Sequence, residues 1–143
     1  MFVSEYYHTI DSKGRVIIPA KIRDELKDNF VVNKGLDGCL NIYTASRWEV
    51  IYENLLKIPQ TKSEVRKYIR VMTSNAIICN TDSQGRVVIS AQLIKAANLE
   101  KDCVVVGSGD HVEIWAKDKW IEYIEQANDS FEDISEAISD YMV

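Results

Sequence analysis

The chain has 143 residues, enough for one compact body or two very small ones, and 46% of them are hydrophobic, which can supply one shared core. No apolar run approaches the ~18 residues that a membrane span needs, and the N-terminus has no secretory pattern, so the sequence predicts a cytoplasmic protein with no membrane partner. The net charge of −5 argues at first against a nucleic-acid partner.

The first half of the chain predicts two strands around a tight turn, then a short helix and a second pair of strands. These elements cover residues 6–10, 16–18, 20–26, 30–32 and 40–43. Gly14 supplies the positive φ of the turn, and Pro19 takes the first helical position, where its missing N–H costs nothing. Thr44 or Ser46 caps a second helix. Its apolar stripe contains Trp48, Ile51, Tyr52, Leu55 and Leu56.

A linker at 57–63 leads into a basic helix predicted over 61–74. Its Arg66, Lys67 and Arg70 are interpreted as a solvated face rather than as a DNA contact. The second half repeats the order of the first, with strands at 76–80, 87–89, 103–106 and 112–115, a helix capped by Ser90, and a helix from about 117 that carries Trp120, Ile121 and Ile124. A last amphipathic helix spans 131–142, and its stripe of Phe131, Ile134 and Ile138 is expected to pack on the body or on a neighbouring chain.

The repetition is visible in the sequence itself. Residues 11–20, DSKGRVIIPA, return as residues 82–91, DSQGRVVISA, with seven of ten positions identical at a spacing of 71. The chain is therefore a tandem duplication of a unit of roughly 45 residues, too small to be stable alone. We expect the two copies to pack on each other.

The repeated turn places an aspartate and an arginine four residues apart around a glycine. The aspartates, Asp11 and Asp82, are predicted to accept turn N–H groups and to fix the turns together with Gly14 and Gly85. Arg15 and Arg86 have a second possible role, because a guanidinium can face a phosphate or a guanine edge. Lys13 stands beside Arg15, whereas the second copy has Gln84 at that place, so the two copies need not contribute equally.

The distribution of charge revises the first impression from the net charge. After Lys119 the chain contains seven acidic residues and no lysine or arginine. Without those seven, 17 basic residues stand against 15 acidic ones, so the acid is concentrated in the tail. Since binding depends on where the charge lies, a basic face elsewhere remains possible.

Several motifs together resemble the MraZ family of the SpoVT-AbrB superfamily. They are Met1-Phe2, Glu5-Tyr6, residues 8–15, residues 18–21, Arg23, residues 35–40, Trp48, residues 82–86, residues 99–102 and residues 113–115. Position 4, usually glycine in the family, is Ser4 here. The resemblance implies a bacterial transcription regulator that binds repeats upstream of its own gene and of the division and cell-wall cluster, as a ring of chains at the nucleoid. It also implies that Arg15 and Arg86 bind DNA; Lys13, Lys21 and Arg23 join them by charge and proximity.

The fold class predicted from these observations is α+β with a mainly β core. Two tandem AbrB-type swapped-hairpin units would form one pseudo-symmetric β-barrel with flanking helices. The predicted segments are unit 1 at 5–47, a helical connector at 48–75, unit 2 at 76–119 and an acidic helical tail at 120–143.

Other functional classes find less support in the sequence. His8 and His111 have no partners at metal-ligand spacing, and no catalytic triad, phosphate loop or dinucleotide fingerprint occurs, so we expect no metal, cofactor, small-molecule substrate or enzymatic activity. The alternative function is an antitoxin-like AbrB module that binds a protein partner through its acidic tail. A purely structural oligomer is a third possibility, and it would lack a basic face.

Overall fold

The structure is a computed structural model that describes residues 1–142; Val143, the end of the predicted tail, lies outside the described residues. The elements are β1 (Glu5–Thr9), β2 (Arg15–Ile17), α1 (Ala20–Leu26), β3 (Phe30–Lys34), β4 (Leu40–Tyr43), α2 (Ala45–Lys57), α3 (Ser63–Asn75), β5 (Ile77–Cys79), β6 (Arg86–Val88), α4 (Ala91–Ala96), β7 (Asp102–Gly107), β8 (Val112–Ala116), α5 (Lys117–Asp129), α6 (Phe131–Ala137) and a 3-10 turn (Ser139–Tyr141). The predicted α+β class with a mainly antiparallel sheet is confirmed.

Local signals for the helix starts hold with one adjustment. Thr44 accepts the N–H of Arg47 at the start of α2, and Ser90 accepts the N–H of Leu93 at the start of α4. Pro19 is the residue before α1 rather than its first residue, because its ψ of 143° is extended.

Two antiparallel sheets contain the strands of residues 1–142. The larger has the order β1-β7-β8-β4-β3-β5, and the smaller is a ribbon of β2 and β6. The strands β3 and β4 pair within the first copy, and β7 and β8 within the second. In contrast, β1 pairs with β7, β5 with β3 and β2 with β6, so these ladders join one copy to the other.

The predicted closed barrel is not found among the described residues. The large sheet is open at β1 and β5, and a single bridge between Ile10 and Val16 links it to the ribbon. The ribbon strands have three residues each, because Pro19 and Ser90 turn the chain into α1 and α4 immediately afterwards.

The large sheet separates two helical layers. On one face, inward side chains such as Val32, Ile42 and Ile114 pack against Val16 and Val87 of the ribbon and against α1 and α4. Side chains alternate along a strand, so the other face carries Asn33, Tyr43, Val104 and Trp115, which are covered by α2, α3 and α5. The ribbon and the helices α2, α3 and α5 therefore lie on opposite sides of the sheet.

Two apolar stripes predicted from helical spacing are not buried within the chain. In α2 only Leu55 is buried, while Tyr52 and Leu56 are exposed. Phe131 and Ile134 of α6, and Ile138 directly after it, are all exposed, so this stripe does not pack on the body, whereas α5 does so through Trp120. Periodicity identifies an apolar stripe but does not identify its partner.

The backbone at position 4 has the conformation that accounts for the family's usual glycine, and the serine found here has no structural explanation. Ser4 has a φ of +73°, in the left-handed region that favours glycine. Its carbonyl accepts the N–H of Gly107 at 2.8 Å.

Among residues 1–142, no helix combines the length and the apolar character needed to cross a bilayer.

Candidate nucleic-acid interface

The first repeated turn is closed by a single aspartate. Asp11 Oδ1 accepts the backbone N–H groups of Lys13 and Arg15 at 2.9 Å each. Asp11 Oδ2 accepts a hydrogen bond from Nε of Arg15 at 2.6 Å, and the Gly14 N–H donates to the Asp11 carbonyl. Gly14 has a φ of +75°, where other residues are strained. The turn thus holds the guanidinium of Arg15 through its own carboxylate.

The second turn has the same set of contacts 71 residues later. Asp82 Oδ1 accepts hydrogen bonds from the backbone N–H groups of Gln84 and Arg86 at 2.9 Å. Asp82 Oδ2 accepts a hydrogen bond from Nε of Arg86 at 2.8 Å. Gly85 has a φ of +76°. The second copy has Gln84 where the first has Lys13, and the geometry is the same because the contact uses the backbone N–H.

Both aspartates remain charged at neutral pH. The backbone N–H of Arg15 is the largest cause that lowers the pKa of Asp11, and burial opposes it only in part. The N–H of Arg86 lowers the pKa of Asp82 in the same way. Ionised carboxylates accept hydrogen bonds and attract guanidinium groups, so the two arginines stay oriented over the physiological range.

Reciprocal backbone hydrogen bonds join the two turns. The Ile89 N–H donates to the Gly14 carbonyl at 2.8 Å, and the Ile18 N–H donates to the Gly85 carbonyl at 2.9 Å. Each turn is therefore bound to the end of the ribbon strand that belongs to the other copy.

The ribbon brings the two arginines onto one surface. Arg15 pairs with Val88 and Ile17 pairs with Arg86, while Val16 and Val87 between them are buried. Because successive side chains of a strand point to opposite faces, the neighbours of these two valines lie on the exposed face of the ribbon: Arg15, Ile17, Arg86 and Val88. Their 2 × 2 arrangement, which we call the arginine ribbon, places two guanidinium groups diagonally with an aliphatic side chain opposite each.

The structure separates the other three basic candidates. Lys13 lies exposed at the first turn and Lys21 lies exposed on α1. Arg23 is partly buried, and its Nη1 donates to the carbonyl of Ile18. Its guanidinium also lies against Gly85 of the second turn, where an added Cβ would overlap it. Arg23 of the first copy therefore adds a second cation beside Arg86 at the second turn. The second copy has no basic counterpart of Lys13, Lys21 or Arg23, because the equivalent positions are Gln84, Gln92 and Ile94.

The basic residues of the connector lie elsewhere. Arg66, Lys67 and Arg70 belong to α3, in the layer on the far side of the sheet from the arginine ribbon. Arg66 donates to the carbonyls of Gln60 and Thr61. The sequence interpretation of a solvated face agrees with this placement.

The sequence predictions did not include a polar cluster that lies on the face of the large sheet covered by α2, α3 and α5. His111 contacts Asp110 at 2.8 Å and Glu113 at 3.0 Å, and Glu113 also accepts the indole N–H of Trp115. The hydrogen bond to Glu113 is the main cause that raises the pKa of His111. Asp110 pairs with Arg47 across the copies at 3.0 Å. The alternation of Glu113 and Trp115 on β8 with His111 directly before it was the sequence signal for this cluster. No cluster suited to a metal ion occurs in the described part of the chain.

Comparisons with known proteins match both halves of the chain to one family. A family model described as "MraZ protein, putative antitoxin-like" matches residues 1–71 and again residues 72–141. The chain is 46% identical over 141 residues to the transcriptional regulator MraZ of Pediococcus pentosaceus, with 99% of each chain covered. It is 45% identical to the protein of that name from Ligilactobacillus salivarius, again with 99% of each covered, and 44% identical, over the whole of both chains, to that of Caldanaerobacter subterraneus subsp. tengcongensis.

Proposed function

The chain belongs to the MraZ family, and from this premise we propose that it is a sequence-specific DNA-binding transcriptional regulator of its own operon, the division and cell-wall gene cluster. It binds double-stranded DNA at repeated promoter elements. It works in the cytoplasm, associated with the nucleoid, without a cofactor, a small-molecule substrate or a catalytic step.

The arginine ribbon is the observation that carries this proposal. A two-stranded ribbon fits the major groove of B-DNA, and arginine paired with the O6 and N7 atoms of guanine is the commonest specific contact there. Arg15 and Arg86 are held on the outer face of such a ribbon by Asp11 and Asp82. Lys13 and Lys21 are exposed nearby in sequence and add phosphate contacts, while Arg23 adds charge at the second turn.

The ribbon belongs to a pseudo-symmetric unit made by the two copies. We assign unit 1 to 5–47, the connector to 48–75, unit 2 to 76–119 and the acidic tail to 120–143. The exchange of β1 and β5 between copies supports an AbrB-type swapped-hairpin arrangement. The strand order supports it too, because it reads the same from either edge when equivalent strands are exchanged.

A ring of chains provides the affinity that one ribbon lacks. Few phosphate contacts per chain mean weak binding by a single copy. Several ribbons held in one assembly contact consecutive repeats. After the first contact the others are intramolecular, so each remaining ribbon meets its repeat at a high effective concentration.

The test of the function is binding to the DNA upstream of the chain's own gene. Fluorescence anisotropy should show tighter binding to the duplex with the repeats than to a scrambled duplex of equal length. With about four basic contacts on one repeat, the logarithm of the binding constant should fall with a slope of roughly −4 against the logarithm of salt concentration. Equal affinity for both duplexes would refute sequence-specific recognition.

Ile17 and Val88 provide a finer test of the same interface. Their side chains are 43% and 59% exposed between the two arginines, and the thymine methyl is the apolar group that the major groove offers. Replacing thymine by deoxyuridine removes only that methyl. We expect wild-type binding to weaken about fourfold for each contacted methyl, and Ile17→Ser with Val88→Ser to show no such difference. A wild-type protein indifferent to the replacement would exclude methyl recognition.

A further inference from the structure

The acidic tail carries an apolar surface that no part of residues 1–142 covers. Among the described residues, α6 packs mainly on α5 and on the 3-10 turn after it. The side chains of Phe131, Ile134 and Ile138 are 66%, 44% and 43% exposed and recur at helical spacing. An exposed apolar stripe of this size on a soluble protein marks an interaction surface.

A groove that fits such a stripe lies beside α3. It has a volume of about 500 Å³ between α3 and the strands β3 and β4. Its apolar lining comes from Leu36, Tyr43, Tyr68, Val71 and Met72. We call this the α3 groove. Leu36 and Tyr68 are exposed, so the opening of the groove is apolar as well as its floor.

The charges around the two surfaces have opposite signs. Glu132, Asp133, Glu136 and Asp140 are exposed on the tail helix and the turn after it. Two exposed cations, Lys34 and Lys67, line the α3 groove. Glu64 is the acidic residue in the lining. Complementary charge around an apolar contact selects a partner and fixes its orientation.

The position of the two surfaces requires a second chain. The α3 groove and α5, the helix that leads into α6, lie on the face of the large sheet away from the arginine ribbon. The helix α5 packs on β7 and β8, whereas α3 packs on β3, and β4 and β8 lie between β3 and β7. The tail thus leaves one half of the sheet while the groove opens over the other half, and the two are unoccupied in a single chain.

We propose that α6 of one chain docks in the α3 groove of a second copy, so that copies join head to tail. Such a heterologous contact generates a ring when the rotation closes. The contact leaves the arginine ribbon of every copy uncovered on the opposite face. The inference rests on the ring that is part of the proposed function and names the contact that builds it.

Charge reversal on each surface tests the docking in the full chain. The tail variant carries Glu132→Lys and Glu136→Lys, and the groove variant carries Lys34→Glu and Lys67→Glu. Each alone brings like charges together, and we expect association to weaken by roughly a hundredfold or more, giving monomers in sedimentation velocity. Lys95→Glu with Lys101→Glu is the matched control and should assemble as the wild type does.

Mixing the two variants gives the decisive result. The reversed tail then meets a reversed groove, and the native tail meets a native groove, so oligomers of alternating copies should form again. Recovery also shows that both variants are folded. Three outcomes would overturn the proposal: variants that stay oligomeric, a mixture that stays monomeric, and a wild type that is itself monomeric. The last outcome includes the case in which the tail binds a different protein.

A second readout separates this inference from the proposed function. The monomeric variants should bind a duplex with one repeat as well as the wild type does, and lose only the gain from several repeats. Unchanged oligomers with normal DNA binding would refute the docking alone. Wild-type oligomers with no preference for repeat DNA would refute the function alone.

Discussion

Replacing Arg15 and Arg86 together by alanine is expected to abolish specific binding to the promoter repeats while the fold stays intact. Each arginine that contacts a guanine edge contributes roughly 1–3 kcal/mol of discrimination, so the pair accounts for roughly two to four orders of magnitude. The magnitude of the salt slope should fall by at most about two, because the slope counts phosphates and these two cations are assigned to base edges. Electrophoretic retardation and anisotropy on a one-repeat duplex measure both effects.

The fold should survive this double substitution because both ion pairs are at the surface. The side chains of Arg15 and Arg86 are about a quarter exposed and their carboxylate partners more so, and such pairs contribute little to stability. The backbone N–H bonds to Asp11 and Asp82 remain in the variant. Circular dichroism and thermal unfolding check this expectation.

A matched control removes the same charge from the other side of the sheet. Arg66→Ala with Arg70→Ala deletes two guanidinium groups of α3, and a one-repeat duplex keeps oligomer assembly out of the comparison. We expect binding close to that of the wild type. Undiminished binding by the Arg15 and Arg86 double variant, or an equal loss in the control, would contradict the assignment of the arginine ribbon.

Gly14→Ala is expected to destabilise the protein far more than Gly85→Ala, although the two glycines are equivalent in the repeat. Both have a φ near +75°, which costs an alanine about 1–2 kcal/mol. At Gly14 the new Cβ would also lie 2.8 Å from the carbonyl oxygen of Ile89, a backbone atom of the residue whose N–H donates to Gly14 itself. At Gly85 the nearest atoms are those of the Arg23 guanidinium, which can rotate away.

The free energy of unfolding should therefore fall by about 2–4 kcal/mol for Gly14→Ala, since overpacking adds to the strain. For Gly85→Ala it should fall by about 1–2 kcal/mol. Equilibrium unfolding in urea measures both values. Similar losses for the two variants would show that the backbone contact at Gly14 is relieved by movement of the ribbon.

Features that depend on a few neighbouring residues were predictable from the sequence. The two turns, the caps at Thr44 and Ser90, and most strand bounds follow from hydrogen bonds that span two to five residues. The burial of Ile22 and Leu26 in α1 follows from their spacing of four. The closed barrel was not found, because the number of strands that a motif implies does not determine whether the sheet closes.

The partners of the apolar stripes could not be predicted. Spacing shows that Phe131, Ile134 and Ile138 share one side of α6, but a helix with such a stripe packs on whichever surface the fold brings close. Here the fold brings none, and the stripe remains exposed. The cluster around His111 escaped prediction for a related reason, since Arg47 comes from the other copy.

By itself the sequence determined the duplication, the family and the geometry of the two Asp-x-x-x-Arg turns, because these reside in short motifs that can be read directly from the chain. Only the tertiary structure decided that Arg15 and Arg86 share one surface and that Arg23 of the first copy lies at the second turn. The physical reason is the pairing of strands between the copies. The ladder of β2 and β6 joins residues that are 71 apart in the chain, and neither periodicity nor local propensity encodes such a pairing.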